Sequence, residues 1–159
     1  MSRTSKWWKI IERRKGMPRY VAEAAKWWAG QLRNGVKHDN GEPLQTGMLN
    51  MLNQNRAPIA ESRVMRFEAA LAAKMLDAVE DCHYQAIVST DYHPDPALSA
   101  ALMEAGITET LGILPVKTVM WLEISGTVKV KCGYGGPIEI VFYDPNPKDL
   151  EVIKDYGKA

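Results

Sequence analysis

The chain has 159 residues, 46% hydrophobic and 25% charged, with a net charge of +1 and two cysteines. That length suits one domain, and that composition excludes a disordered, collagen-like or disulfide-stapled chain. No stretch reaches the roughly 18 apolar residues of a membrane span, and the opening MSRTSKWWKIIERRKG lacks the apolar run of a secretory leader, so a single cytoplasmic α+β domain over residues 1–159 is the expectation.

The first predicted helix runs from about Ser5 to Lys15, with Trp7, Trp8, Ile10 and Ile11 on one side and Lys and Arg around the rest. Gly16 ends it and Pro18 cannot continue it. A second helix starts near Pro18 and stops before Gly35, its apolar residues Val21, Ala24, Trp28 and Leu32 recurring every three or four positions. Charge is concentrated here. Residues 1–37 hold ten Lys and Arg against Glu12 and Glu23, a net +8, while the remainder carries ten cations against seventeen acids, a net −7.

Residues 35–46 read as a loop, and Gly47–Asn53 as a short helix, because Met48, Leu49, Met51 and Leu52 pair up at helical spacing. The longest helix starts near Pro58 and reaches about Asp81, with Val64, Phe67, Leu71, Met75 and Val79 forming a core stripe. The period then changes. Tyr84–Thr90 reads as a strand, apolar enough to lie inside the sheet. Asp95 is placed to cap a helix that opens on Pro96, continues to about Ala105 and ends at Gly106.

Thr118–Ile124 and Thr127–Cys132 read as strands joined through Ser125-Gly126. Val128, Val130 and Cys132 face one way, and Thr127, Lys129 and Lys131 the other. Gly133–Gly136 is a second turn, Ile138–Tyr143 the last strand, and a closing helix is predicted over Pro147–Asp155. This order gives N-terminal helices, a strand–helix crossover and a three-stranded antiparallel meander in a single sheet of about four strands, with a basic helical segment over about residues 1–35 packed on or extending from it. The crossover would allow a parallel first strand. Cys82 and Cys132 are expected as buried free thiols.

Two places invite chemistry. The basic segment carries four of the five tryptophans as the pairs Trp7-Trp8 and Trp27-Trp28. Cations among indoles suit an acidic protein surface first, where Trp and Arg dominate binding energy. Nucleic acid comes second, through phosphate neutralisation and base stacking, and a membrane surface last. Trp7, Trp8, Arg13, Arg14, Lys15, Arg19 and Trp27 are the candidate contact residues. Neighbours on a helix point about 100° apart, so one Trp of each pair is expected to turn inward.

The second place is Asp91-Tyr92-His93-Pro94-Asp95, between a strand end and a helix start. An aspartate beside a histidine is a common general-base arrangement, and Asp91, His93 and Asp95 together have the donors for a divalent cation. The same residues also serve as a helix cap and turn formers. No phosphate loop, HExxH, paired CxxC or GxSxG motif occurs, and nothing implies a cofactor. The sequence therefore favours a non-enzymatic binding protein; on size alone, it fits the accessory factors of phages and mobile elements that bind and inhibit a host complex. A nucleic-acid-binding accessory protein is the first alternative, and a small metal-dependent hydrolase or nuclease at Asp91, His93 and Asp95 the second.

Overall fold

The computed structural model describes residues 16–36, 43–54, 56–108, 112–133, 135–147 and 150–151. The predicted helix over residues 5–15 lies outside these, as do Trp7, Trp8, Arg13, Arg14 and Lys15. The elements are β1 (Met17–Pro18), α1 (Arg19–Asn34), α2 (Pro43–Gln54), α3 (Glu61–Asp81), β2 (Gln85–Thr90), α4 (Pro96–Glu104), β3 (Thr118–Glu123), β4 (Thr127–Cys132), β5 (Ile138–Tyr143) and β6 (Leu150–Glu151). Strands β2 to β5 form one antiparallel sheet in sequence order, with α1 to α3 ahead of it and α4 between β2 and β3, so the fold is α+β as expected.

The core follows from the two periods. On α1, Val21, Ala24, Ala25, Trp28, Ala29 and Leu32 are buried at helical spacing, and the helix packs on α3 and on the inner side of β3, β4 and β5. On α3, Val64, Phe67, Leu71, Met75 and Val79 are all buried, with α1, α4 and β2 against the helix. The sheet answers with Ala86, Val88, Met120, Leu122, Val128 and Val130, which alternate inward along three strands. At the tight β3–β4 turn, Gly126 adopts φ +100°, and a side chain there would run into the Asp144 carbonyl.

Several details differ from the sequence expectation. Strand β2 lies at the edge of the sheet rather than inside it. Its apolar character arises because Ala86 and Val88 enter the core while Ile87 projects from the opposite side. The β2–β3 pairing is antiparallel, with Thr90 opposite Thr118. The crossover therefore begins and ends at the same end of the sheet. Helix α4 carries the chain away, and a packed leg containing buried Ile107, Ile113, Leu114 and Val116 brings it back.

Helix α2 begins at Pro43, earlier than predicted, since proline suits a first helical turn. At Leu150–Glu151 a short strand paired with Met17–Pro18 stands where the closing helix was predicted; of the rest of that span only Pro147 is among the described residues. A nine-residue helix is marginal without a face to bury, and strand pairing gives the same backbone its partners. The cysteines are free but not buried. Cys82 is half-buried and Cys132 exposed, because both fall at element ends. Desolvation nonetheless pushes the Cys132 thiol above its ordinary pKa; a hydrogen bond with Thr118 opposes this and the Glu139 charge adds to it. No helix among the described residues is long and apolar enough to cross a membrane.

Leu71 is fully buried where α3 meets its neighbours. Leu71→Ala should lower unfolding free energy by about 2–5 kcal/mol, read from a shift in denaturant midpoint at unchanged slope.

Candidate interaction surface

The Asp91–Asp95 corner is built around the edge of β2. The Asp95 backbone N–H donates to the Ser89 carbonyl at 3.0 Å, and its Oδ2 accepts from the Ser89 N–H at 2.8 Å. Asp95 thus occupies the place that a neighbouring strand would take. Its Oδ1 accepts from the Leu98 N–H at 2.9 Å, capping α4 as the Asp-Pro sequence implies. Asp91 is engaged elsewhere. Its carboxylate forms an ion pair with Lys117, whose ammonium also lies 4.6 Å from the Tyr92 ring centroid.

Lys117 has a positive φ of 53°. Hydrogen bonds on both sides fix it there, from its N–H to the Asp91 carbonyl and from the Gly133 N–H to its own carbonyl, each 2.8 Å. A general-base pair needs Asp91 on the His93 ring; the structure puts Asp91 on Lys117 and leaves His93 exposed. Among the described residues, no three His, Cys, Asp or Glu side chains gather as a metal would need.

On α1, the Trp27-Trp28 pair divides as adjacent helical positions require. Trp28 is fully buried, and its indole N–H donates to the Met120 sulfur at 3.2 Å. Trp27 is half-buried and stands edge-on to Trp28, with ring centroids 5.0 Å apart at 88°. Arg19 and Lys26 are exposed, and the Arg19 guanidinium lies 6.0 Å from the Phe142 ring centroid. Arg33 turns back onto the domain, reaching Glu61 at 2.8 Å and Glu68 at 3.2 Å. Desolvation works against its charge, but the Glu61 hydrogen bond and both carboxylates outweigh that and raise its pKa. Part of the basic segment's charge is therefore answered inside the fold.

The outer side of the sheet is the surface that sequence reading missed. Register places Ile87, Trp121, Lys129 and Ile140 in one row across the four strands, and Ser89, Val119, Lys131 and Ile138 in the next. Ile87, Ile138 and Ile140 remain 53%, 59% and 64% exposed, and Trp121 is half-buried. Lys129 is held by Glu123 at 3.0 Å, and the Tyr84 hydroxyl donates to the same carboxylate at 3.4 Å. The face thus offers aliphatic and indole surface interrupted by lysines. The signal was present in TVMWLE and IEIVFY, which are apolar on both sides, and among the described residues no second layer of elements covers the outer one.

Comparison of the chain with protein-family models and with curated proteins finds no match, so the functional reading rests on the geometry above.

Asp95→Ala would remove the helix cap and leave the Ser89 N–H without its acceptor. The expected loss is about 1–3 kcal/mol, with faster amide exchange at Ser89 and Leu98. Equal exchange at both amides in the variant and the parent would show that Asp95 holds neither.

Proposed function

We propose that this chain is a non-enzymatic binding protein that docks on an acidic region of another protein. The observation that carries this reading is the outer side of the sheet, where Ile87, Trp121, Ile138 and Ile140 are presented with Lys129 and Lys131 between them. Exposed apolar surface of this kind marks protein contact sites, and a central indole is a frequent energetic anchor. Lys129 is neutralised by Glu123, so the charge that favours an acidic partner over a neutral or basic one comes from Lys131. The Asp91–Asp95 corner points the same way, because Asp91 and Asp95 are committed to Lys117, Ser89 and Leu98. In this reading the basic segment, with Trp7, Trp8, Arg13, Arg14, Lys15, Arg19 and Trp27, strengthens association by long-range attraction. Blocking a host complex, as phage accessory proteins do, would be one use of such a surface.

A second reading, single-stranded nucleic acid on the sheet, is favoured by the position of Trp121 directly opposite Lys129. The two differ in their response to salt. A partner would be captured from cell lysate on the immobilised chain, identified by mass spectrometry, purified and titrated. Trp121→Ala is expected to weaken binding at least about tenfold, in the range of an interface anchor. The double change Arg13→Glu with Arg14→Glu is expected to slow association while leaving melting near that of the parent. Unchanged affinity in the Trp121 variant would remove the sheet as the docking face. A steep linear fall of log affinity with log salt, together with an oligonucleotide as the captured species, would transfer the assignment to nucleic acid.

A further inference from the structure

Helix α2 turns most of its apolar residues away from the core. Leu49 is buried, and the Asn53 amide donates to the Val36 and Gly112 carbonyls at 3.1 and 2.7 Å, so this side of the helix meets the domain. Leu44, Met48 and Met51 lie on the other side and are 78%, 59% and 64% exposed, with exposed Leu52 beside them. Among the described residues, no other helix or strand packs extensively on α2. A twelve-residue helix held this way is marginal in water, and glycine at position 47 weakens it further.

The exposed residues have the pattern of a helix pair. Leu44, Met48 and Met51 follow a spacing of four and then three, the narrow seam along which two helices interlock. Gly47 borders that seam near the middle of the helix. A side chain placed there would meet nothing within 4 Å, so the backbone is open to close approach. Methionine at two of the three seam positions adapts to an irregular opposing surface. Charge decides what that surface is. The helix sequence PLQTGMLNMLNQ contains no charged residue, in a chain that is 25% charged. A two-fold axis sets a patch against itself, where any charge would face its own sign. A partner chosen for its charge would find none on this helix to answer.

We propose that α2 is a self-association surface, pairing with α2 of a second copy of the chain across a two-fold axis that passes by Met48. Met48 then faces its mate, and Gly47 lets the two backbones close up. About 18 Å of helix covers less than the roughly 1,600 Å² of a standard interface, so the dimer is reversible and concentration-dependent. None of these residues belongs to the sheet face, so the dimer and the acidic partner inferred above stand or fall separately.

The test is sedimentation equilibrium of the full chain at rising concentration, where the mass should climb from monomer towards dimer. Met48→Glu and Met48→Lys each set like charges face to face and should weaken the dimer at least about tenfold. Mixed in equal amounts, the two variants should pair again, since acid then meets base. Met48 is exposed, so the circular dichroism and melting of both in dilute solution should match the parent. Should either unfold, Met51→Glu on the same seam carries the test. Ile140→Asp, on the sheet, should leave the dimer intact. A parent that stays monomeric, a dimer indifferent to charge at positions 48 and 51, folded Met48 variants that do not recover on mixing, or a dimer lost with Ile140→Asp would overturn the proposal. Binding of a monomeric parent to phosphatidylcholine vesicles, lost in Met51→Glu, would replace the second copy with a lipid surface.

Discussion

Crowding around the middle of α3 sets the terms for the rest of the molecule. Every residue from Phe67 to Ala73 is buried, and such a run exceeds one full helical turn, so this stretch has protein on all sides. Only small side chains allow that many neighbours, and Ala69, Ala70, Ala72 and Ala73 supply them, letting α1 and α4 approach closely. Phe67, Leu71 and Met75 then fill the space that remains. The same crowding buries Glu68, and a buried carboxylate is costly unless paired. Arg33 reaches across from α1 to pair with it, which ties the end of the basic helix to the centre of the domain.

Much of this was legible from pattern. The α1 and α3 stripes, the Asp95 cap, the Ser125-Gly126 turn and the Ile138–Tyr143 strand all follow from local chemistry, and local chemistry is what a sequence displays directly. Topology was harder. Nothing in YQAIVST distinguishes an edge strand from an interior one, because the decision lies with Asp95, which supplies the missing partner for Ser89 from six residues downstream. The Pro147–Asp155 expectation failed at Leu150–Glu151 for a related reason. The pairing partner, Met17–Pro18, lies at the far end of the chain and leaves no mark near its mate.

The candidate surfaces divide in the same way. That one tryptophan of Trp27-Trp28 must point inward follows from helical geometry, and Trp28 does so. That Asp91 would choose Lys117 over His93 depends on a backbone held in a left-handed conformation 26 residues away in sequence. The sheet face is still less visible in the sequence, because it assembles single residues from four strands that register alone brings into rows.

The treatment of the sheet edges has a further consequence. On one side, the Asp95 side chain and backbone occupy the polar groups of Ser89; on the other, the register slips between Val128 and Lys129, so Val141 is an extra residue on β5. Side chains and bulges of this kind discourage strand addition. A chain with IEIVFY on an outer strand would otherwise be prone to stack into cross-β fibres. Both outer strands are thereby made poorer templates for an added strand, while the outer side of the sheet keeps its exposure at Ile87, Ile138 and Ile140.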